Sequence, residues 1–569
     1  MNTWRSSFAR ETRQAILLAR DSVRQILAGA TSARDADPAQ VALWATALAL
    51  TPPFLVSVRK VIDYPFLLRA PAEYVERVIL GDRLFFMLYG MLATALVTAL
   101  VWDSLSPTRH DHEVIGALPV RPRTVAGARL GAAVLLLSSF ALAITLPSAI
   151  LYSAASAVHP LVGMFPRVLA AHILASVLAC ALVFGTLLAV RSAIILCAGD
   201  AIASRVAAVL QAATFVLLVQ VFFFLPGILP RLLRGVALPE YAAVPPLWYL
   251  GLFTWLGEGR ILGDGLVVRA CAGTVLALVA AAVTGVVPAG VLRRRAIEQR
   301  AHASEGVAVP IVRVAARALV RAQPVRALLL FAVASLVRSR RHVMILATYA
   351  GLSIAASLVG VATAVARGNL TVSEPRVPTM AIPLLTMYFA VVGLRAASAI
   401  PVDLDANWPL RMRQLQARTS AAATRMFLLI LGVLPMTACT VVTAAWLWGP
   451  VVAATLGAAH LAAGACLVEI VLSSWTTVPF ASAHEPAVTT LRSRWAWHAG
   501  AVLVFGYGLA AIEAACLPSV TATVVLLGTV VSIASCAGVR GRRRRARRQV
   551  TYEFASESIE TLRLSPALE

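Results

Sequence analysis

Four consecutive residues, His110, Asp111, His112 and Glu113, carry side chains that a metal site or a proton-transfer site would use. Their spacing argues against a metal. Close neighbours on a helix splay apart, and catalytic zinc helices place their histidines four residues apart. No second His/Glu motif lies nearby in sequence. The plain expectation is no bound metal and the solvated or partner-facing start of a short helix. The acids suit a helix N-terminus and Pro119 ends it. The seven cysteines, Cys180, Cys197, Cys271, Cys439, Cys466, Cys516 and Cys536, fall in or beside apolar blocks and form no CxxC pair. They are expected to be small apolar core residues. Of the 50 basic residues only Lys60 is lysine. A phosphate-cradling P-loop needs Gly-Lys-Ser/Thr, and Lys60 sits in "VRKVID". No ATPase or other enzyme activity, catalytic residue or bound cofactor is therefore expected of this chain.

Charges inside apolar stretches are the remaining chemical candidates, because a charge in hydrocarbon is costly and persists for a reason. Glu469 and Glu513 stand out, near the inner end of one stretch and the outer end of the next. Arg395, about a turn inside its stretch, is placed to snorkel or to pair with Glu469. A structural ion pair is the plain reading and a proton relay the sharper one. His172, His460 and His498 read as packed polar residues.

The elements that must position these groups are helices in a membrane. Hydrophobic residues make up 59% of the 569 residues, charged residues 14%, and the mean hydropathy is +0.81. The apolar residues come in blocks of about 20, the length that crosses a bilayer as a helix. The expected fold is an all-α polytopic membrane protein with about twelve transmembrane helices in two parallel six-helix halves. The spans are Val41–Ser57, Leu84–Trp102, Ala126–Tyr152, Val168–Val190, Val206–Ile228 and Val267–Leu292, then Val343–Ala366, Thr379–Ile400, Met426–Trp448, Val451–Leu472, Ala496–Ala515 and Ser519–Ala537. "TPPFL" interrupts the first. "PPLWYLGLFTWLGEG" is too short and broken for a span. Its Trp248, Tyr249, Phe253 and Trp255 suit a helix in or dipping into the outer interface.

Arginine placement sets the orientation. Most basic residues fall in segments that are cytoplasmic when the N-terminus is inside, as the positive-inside rule requires. Both termini are then cytoplasmic. The arginine-dominated composition suggests a GC-rich bacterial genome, hence the inner membrane. The run Arg540–Arg548 beside the last span suits topology anchoring and anionic lipid rather than nucleic acid.

Each half repeats one order: a basic amphipathic stretch, two spans, a polar loop, and four spans. The stretches are Ser7–Leu27 and Val325–Arg341; the loops are Asp103–Arg129 and Pro401–Arg425. The loops set Asp103, Pro119, Arg121 and Arg123 against Asp403, Pro409, Arg411 and Arg413. The division is a cytoplasmic arm at 1–38, a first half at 39–292, a basic connector at 293–341, a second half at 342–538 and a basic tail at 539–569.

The first loop ends in "LPVRPRTVAGARL". With the amphipathic helix and the span count, it resembles the type-2 ATP-binding-cassette exporter permease family, where a Leu-Pro-Val element closes the loop before the third span. The chain is also similar, through "SLVRSRRHVMILATYAGLSIA" and "YEFASESIETLRL", to a bacterial set of long twelve-span permeases. The resemblance implies two fused permease units, with a separate ATPase subunit supplying ATP hydrolysis. It implies that Asp103, Arg109, Asp111, Glu113, Ile115, Leu118, Pro119, Arg121 and Arg123 form a coupling loop. Asp403, Arg411 and Arg413 hold the equivalent place in the second half, without the Leu-Pro-Val element. Membrane lipids are the other expected partner. A secondary carrier of the major-facilitator type and a membrane-embedded lipid-linked transferase are the alternatives. The carrier has against it a missing Gly-x-x-x-Asp-Arg loop and few intramembrane acids.

Overall fold

Two prolines stand in the middle of the first apolar stretch, yet the helix continues through them to Leu67. Inside a helix each proline removes a backbone donor and bends the axis without ending it when neighbouring helices support it. This computed structural model describes residues 14, 16–24, 38–102, 122–159, 162–232, 243–263, 265–286, 308–366, 373–400, 417–473, 479–480 and 497–546. The described residues are helical, without strands.

The chain divides into two units, Met1–His302 and Ala303–Glu569. Unit 1 contains α1 (16–24), α2 (Pro38–Leu67), α3 (Ala72–Leu100), α4 (Pro122–Ser156), α5 (Phe165–Ala198), α6 (Asp200–Leu232), α7 (Pro245–Glu258) and α8 (Leu266–Val286). Unit 2 contains α9 (Ala308–Leu319), α10 (Gln323–Arg338), α11 (Arg340–Ala366) and α12 (Val377–Ser398). After these come α13 (Arg418–Trp448), α14 (Pro450–Leu472), α15 (Trp497–Cys516) and α16 (Val520–Ala546). Among the described residues 11 helices are long and apolar enough to cross a membrane. Five lie in unit 1 and six in unit 2. The helix α2 is as long, at 30 residues, but its second half carries Arg59, Lys60 and Asp63. It covers the first expected span, Val41–Ser57, but is not among the 11, one fewer than the twelve expected.

Each unit is organised around its second span. It is the most buried of the spanning helices in its unit, with 67% of its apolar window covered in α3 and 56% in α12. In unit 1, α3 packs on α6 and α5, α5 on α8, and α4 on α5. In unit 2 the same order recurs: α12 packs on α15 and α14, α14 on α16, and α13 on α14. The first span differs, since α2 packs mainly on α4 whereas α11 packs on α12.

Local chemistry sets the element ends. Pro71, at φ −57°, caps α3, and backbone bonds from Arg69 to Phe66 and from Ala70 to Leu67 close the short turn from α2. In α13 a π turn over Leu429–Val433 precedes Pro435, whose missing N–H breaks the regular ladder there. The arginine run does not follow the last span as a separate tail; α16 continues through it to Ala546.

One sequence expectation changes here. Of the seven cysteines only Cys180 is buried; Cys197, Cys271, Cys439 and Cys536 lie on exposed helix faces. A thiol is apolar enough for a surface that meets lipid. The helix α7 packs among α3, α5 and α8, burying Tyr249 and Phe253, and only Trp255 of its aromatic residues is well exposed.

A close helix crossing in unit 1 rests on Gly185. A Cβ there would stand 2.9 Å from the Ala277 carbonyl carbon of α8, a contact with backbone that no rotamer relieves. Small residues allow such approaches between spans. Gly185→Val should lower the thermal midpoint of the purified protein, with overpacking of about 1–3 kcal/mol. Gly131→Ala, where nothing lies within 4 Å, should leave it unchanged. Equal midpoints for both variants would remove Gly185 from the packing argument.

Candidate functional site

Asp82 and Arg83 are neighbours on α3, both fully buried. Consecutive residues on a helix point about 100° apart, so the two charges reach different helices. Asp82 Oδ1 meets Lys60 Nζ of α2 at 2.7 Å, with side-chain exposures of 3% and 9%. Tyr64, one turn beyond Lys60, donates its hydroxyl to Asp82 Oδ2 at 3.1 Å. Tyr64 and Tyr152 of α4 stand 3.2 Å apart through their hydroxyls, and Tyr152 reaches the Ile79 carbonyl at 3.5 Å. Arg83 meets Glu258, the last residue of α7, at 2.5 Å, and its guanidinium lies 4.5 Å from the centre of the Phe253 ring.

The local sequence explains this placement. Lys60 and Tyr64 are four apart, so one face of α2 presents both. Gly259 ends α7 with φ 75°, a left-handed conformation that glycine adopts without strain, and its N–H caps the Trp255 carbonyl. That cap fixes Glu258 at the helix end. The Arg167 Nε bond to the Leu256 carbonyl, 2.7 Å, ties the same end to α5. Around the charges lies an aromatic shell. Phe86, Tyr152 and Phe253 surround the His172 ring at centroid distances of 5.1, 5.6 and 5.5 Å. His172 Nδ1 and Arg83 Nε are buried without a hydrogen-bond partner among the described residues.

Unit 2 holds smaller buried polar groups. Glu469 pairs with Arg425 of α13 at 2.8 Å. Arg395, the residue suggested by sequence as its partner, lies half-buried in the last turn of α12. Glu513 meets His460 at 3.2 Å, and His460 Nδ1 faces the Thr440 hydroxyl at 3.3 Å. Tyr388 and His498 share a 2.8 Å hydrogen bond. The histidines expected to be packed are packed, and the two acids of interest each have a basic partner.

The coupling-loop residues fall elsewhere. Asp103, Arg109, Asp111, Glu113, Ile115, Leu118, Pro119 and Arg121 lie outside the described residues, as do Asp403, Arg411 and Arg413. Arg123 lies in the first turn of α4, which starts at Pro122.

No family model, curated protein or solved structure matches this chain.

Sequence reasoning missed Lys60, Asp82, Arg83 and Glu258 as a site. Arg59–Arg83 read as an outer loop because its charges interrupt the apolar windows. The available signal was the Lys60/Tyr64 spacing opposite an Asp-Arg pair. A prediction separates a coupled ion pair from two independent charges. Breaking one partner of a buried pair costs about 3–5 kcal/mol, whereas replacing both by apolar residues is far milder. Glu258→Gln should therefore lower the thermal midpoint more than the double variant Arg83→Met with Glu258→Met. A double variant at least as unstable as Glu258→Gln would show that the two do not stabilise each other.

Proposed function

We propose that the chain is the membrane permease subunit of an ATP-driven exporter, two six-span units whose cytoplasmic loops dock a separate ATPase. The observation that carries this reading is the position of the amphipathic helix in each unit. In unit 1, Val23 of α1 packs on the apolar cluster that includes Ala132 and Ala133 of α4. In unit 2, α10 packs on the start of α13. In unit 1 that cluster also takes Phe184 and Leu188 of α5 and Ala281 of α8, so α1 sits at a junction to which the third span contributes, while α10 sits on α13 itself. The polar loop between the second and third spans leads into that same place. A force applied to the loop or to the helix then reaches the third span, as a coupling element requires. The Leu-Pro-Val resemblance of the first loop supports the same reading, and the repeated helix neighbours support two related units. Arginine asymmetry supports cytoplasmic termini, and arginine-rich composition supports a bacterial inner membrane.

A second reading is an ion-coupled secondary carrier, favoured by Lys60–Asp82 and Arg83–Glu258. These pairs supply the intramembrane acids that the sequence appeared to lack.

The two readings differ in the first loop. Ile115→Asp spoils its apolar face without removing an arginine that holds the loop inside. An ATPase encoded beside this chain should co-purify with the wild-type protein. At least a tenfold loss of co-purified ATPase is expected for Ile115→Asp, with insertion checked by a C-terminal reporter. Undiminished recovery of the ATPase would remove the loop from the coupling role and leave the carrier reading.

A further inference from the structure

The lone lysine of this chain stands at a fully buried anion, Asp82. Every other basic residue is arginine. An arginine at position 60 would offer Asp82 a second ionic bond and could not give up a proton. Lysine offers a compact ammonium on a flexible stem, and its amine can lose and regain a proton.

We propose that Asp82 is a reversible proton-binding site, loaded through Lys60, whose hydrogen bonds the Tyr64–Tyr152 hydroxyl chain satisfies in either protonation state. This goes beyond the permease reading and does not depend on it.

The hydrogen bonds around Asp82 accept both protonation states. With the carboxylate charged, Tyr152 donates to Tyr64, and Tyr64 donates to Oδ2. With the carboxyl neutral, its O–H donates to Tyr64, Tyr64 to Tyr152, and Tyr152 to the Ile79 carbonyl. A hydroxyl both donates and accepts, and the heavy-atom separations of 3.1, 3.2 and 3.5 Å serve either direction. Proton uptake therefore leaves no hydroxyl unpartnered. On the other side of the carboxyl, Lys60 passes its proton across 2.7 Å and is reprotonated by hydronium, which leaves as water. The net change is one proton bound and one O–H bond formed on Asp82. The ammonium then faces an uncharged acid. The next anion is Asp63, on the same helix and 42% exposed, already 3.4 Å from Arg59. A long lysine stem can turn toward it.

Other charged and titratable groups bear on this site. From α2 these are Arg59, Asp63 and Tyr64, and from α3 Arg83. Tyr152 comes from α4, His172 from α5 and Glu258 from α7. Arg83 is already neutralised by Glu258, so Asp82 is the anion that a proton can discharge without stranding a second cation. The helix α6, which packs on α3, presents the uncharged Gln211 and Thr214 to the interior.

The composition supplies a direct test. Labelling with 13C,15N-lysine gives a side-chain spectrum of Lys60 alone, in unmutated protein reconstituted in liposomes. Acidification from about pH 8 to about pH 5 should shift that resonance as its partner loses charge. Infrared difference spectra over the same range should gain one protonated-carboxyl band with the same midpoint. The band should vanish in Asp82→Asn and in Lys60→Arg, which cannot relay the proton. Tyr64→Phe, which removes the hydroxyl that donates to the carboxylate, should move the midpoint to higher pH. A Lys60 resonance that stays put across the range in wild-type protein would overturn the proposal. So would a carboxyl band that survives unchanged in Asp82→Asn or Lys60→Arg.

Discussion

Unit 1 depends on one constraint: a charge held away from water must meet its opposite, and here each partner comes from another helix. Asp82 and Arg83 sit side by side on the most buried span of the unit. Their divergent directions send one to α2 and the other to α7. An isolated charge among apolar helices costs several kcal/mol. Displacing α2 or α7 would expose the unit to that penalty. The second span is therefore more than an apolar hub, because it carries the two charges that fix its neighbours. Apolar packing between spans has little directional preference, since lipid tails are as apolar as leucine. Ion pairs supply the direction.

Unit 2 solves the same problem differently. Its second span, α12, is a hub that packs through Met380, Leu384, Leu385 and Tyr388. Its buried acids stand instead on α14 and α15, where Glu469 meets Arg425 and Glu513 meets His460. The shared neighbour order of the helices thus carries different polar chemistry in the two units. Apolar pattern and loop length set the order of packing, while single substitutions decide where charge is placed.

That contrast explains what the sequence disclosed. Blocks such as Val168–Val190 have no Asp, Glu, Lys or Arg and no proline, so hydropathy identifies them without knowledge of neighbours. Glu469 and Glu513 were visible because each interrupts such a block. Asp82 was not, because "ERVILGDRLFF" mixes charges with apolar residues as a loop margin does, and its burial comes from α2, α4 and α7. Glu258 stands in "WLGEGR", where two glycines and an arginine read as a turn. Its role depends on Gly259 ending α7 at the level of Arg83, a tertiary fact with no local signature. Arg425, which meets Glu469, was not singled out because it stands near the start of an apolar span, where a basic residue reads as a snorkelling end group.

The separation of the two pairs along the chain has a consequence for synthesis. Lys60 and Asp82 belong to helices joined by a short turn, so their pair can close as soon as that hairpin enters the membrane. Arg83 and Glu258 are 175 residues apart. At about 5–20 residues per second, Arg83 waits roughly 10–35 seconds for its carboxylate, while three further spans are made. During that interval the central helix holds an uncompensated cation, which water, lipid phosphate or the insertion machinery must accommodate. The order of assembly is thus written into the ion pairs: α2 and α3 settle first, and the arrival of α7 locks a unit that until then remains open around Arg83.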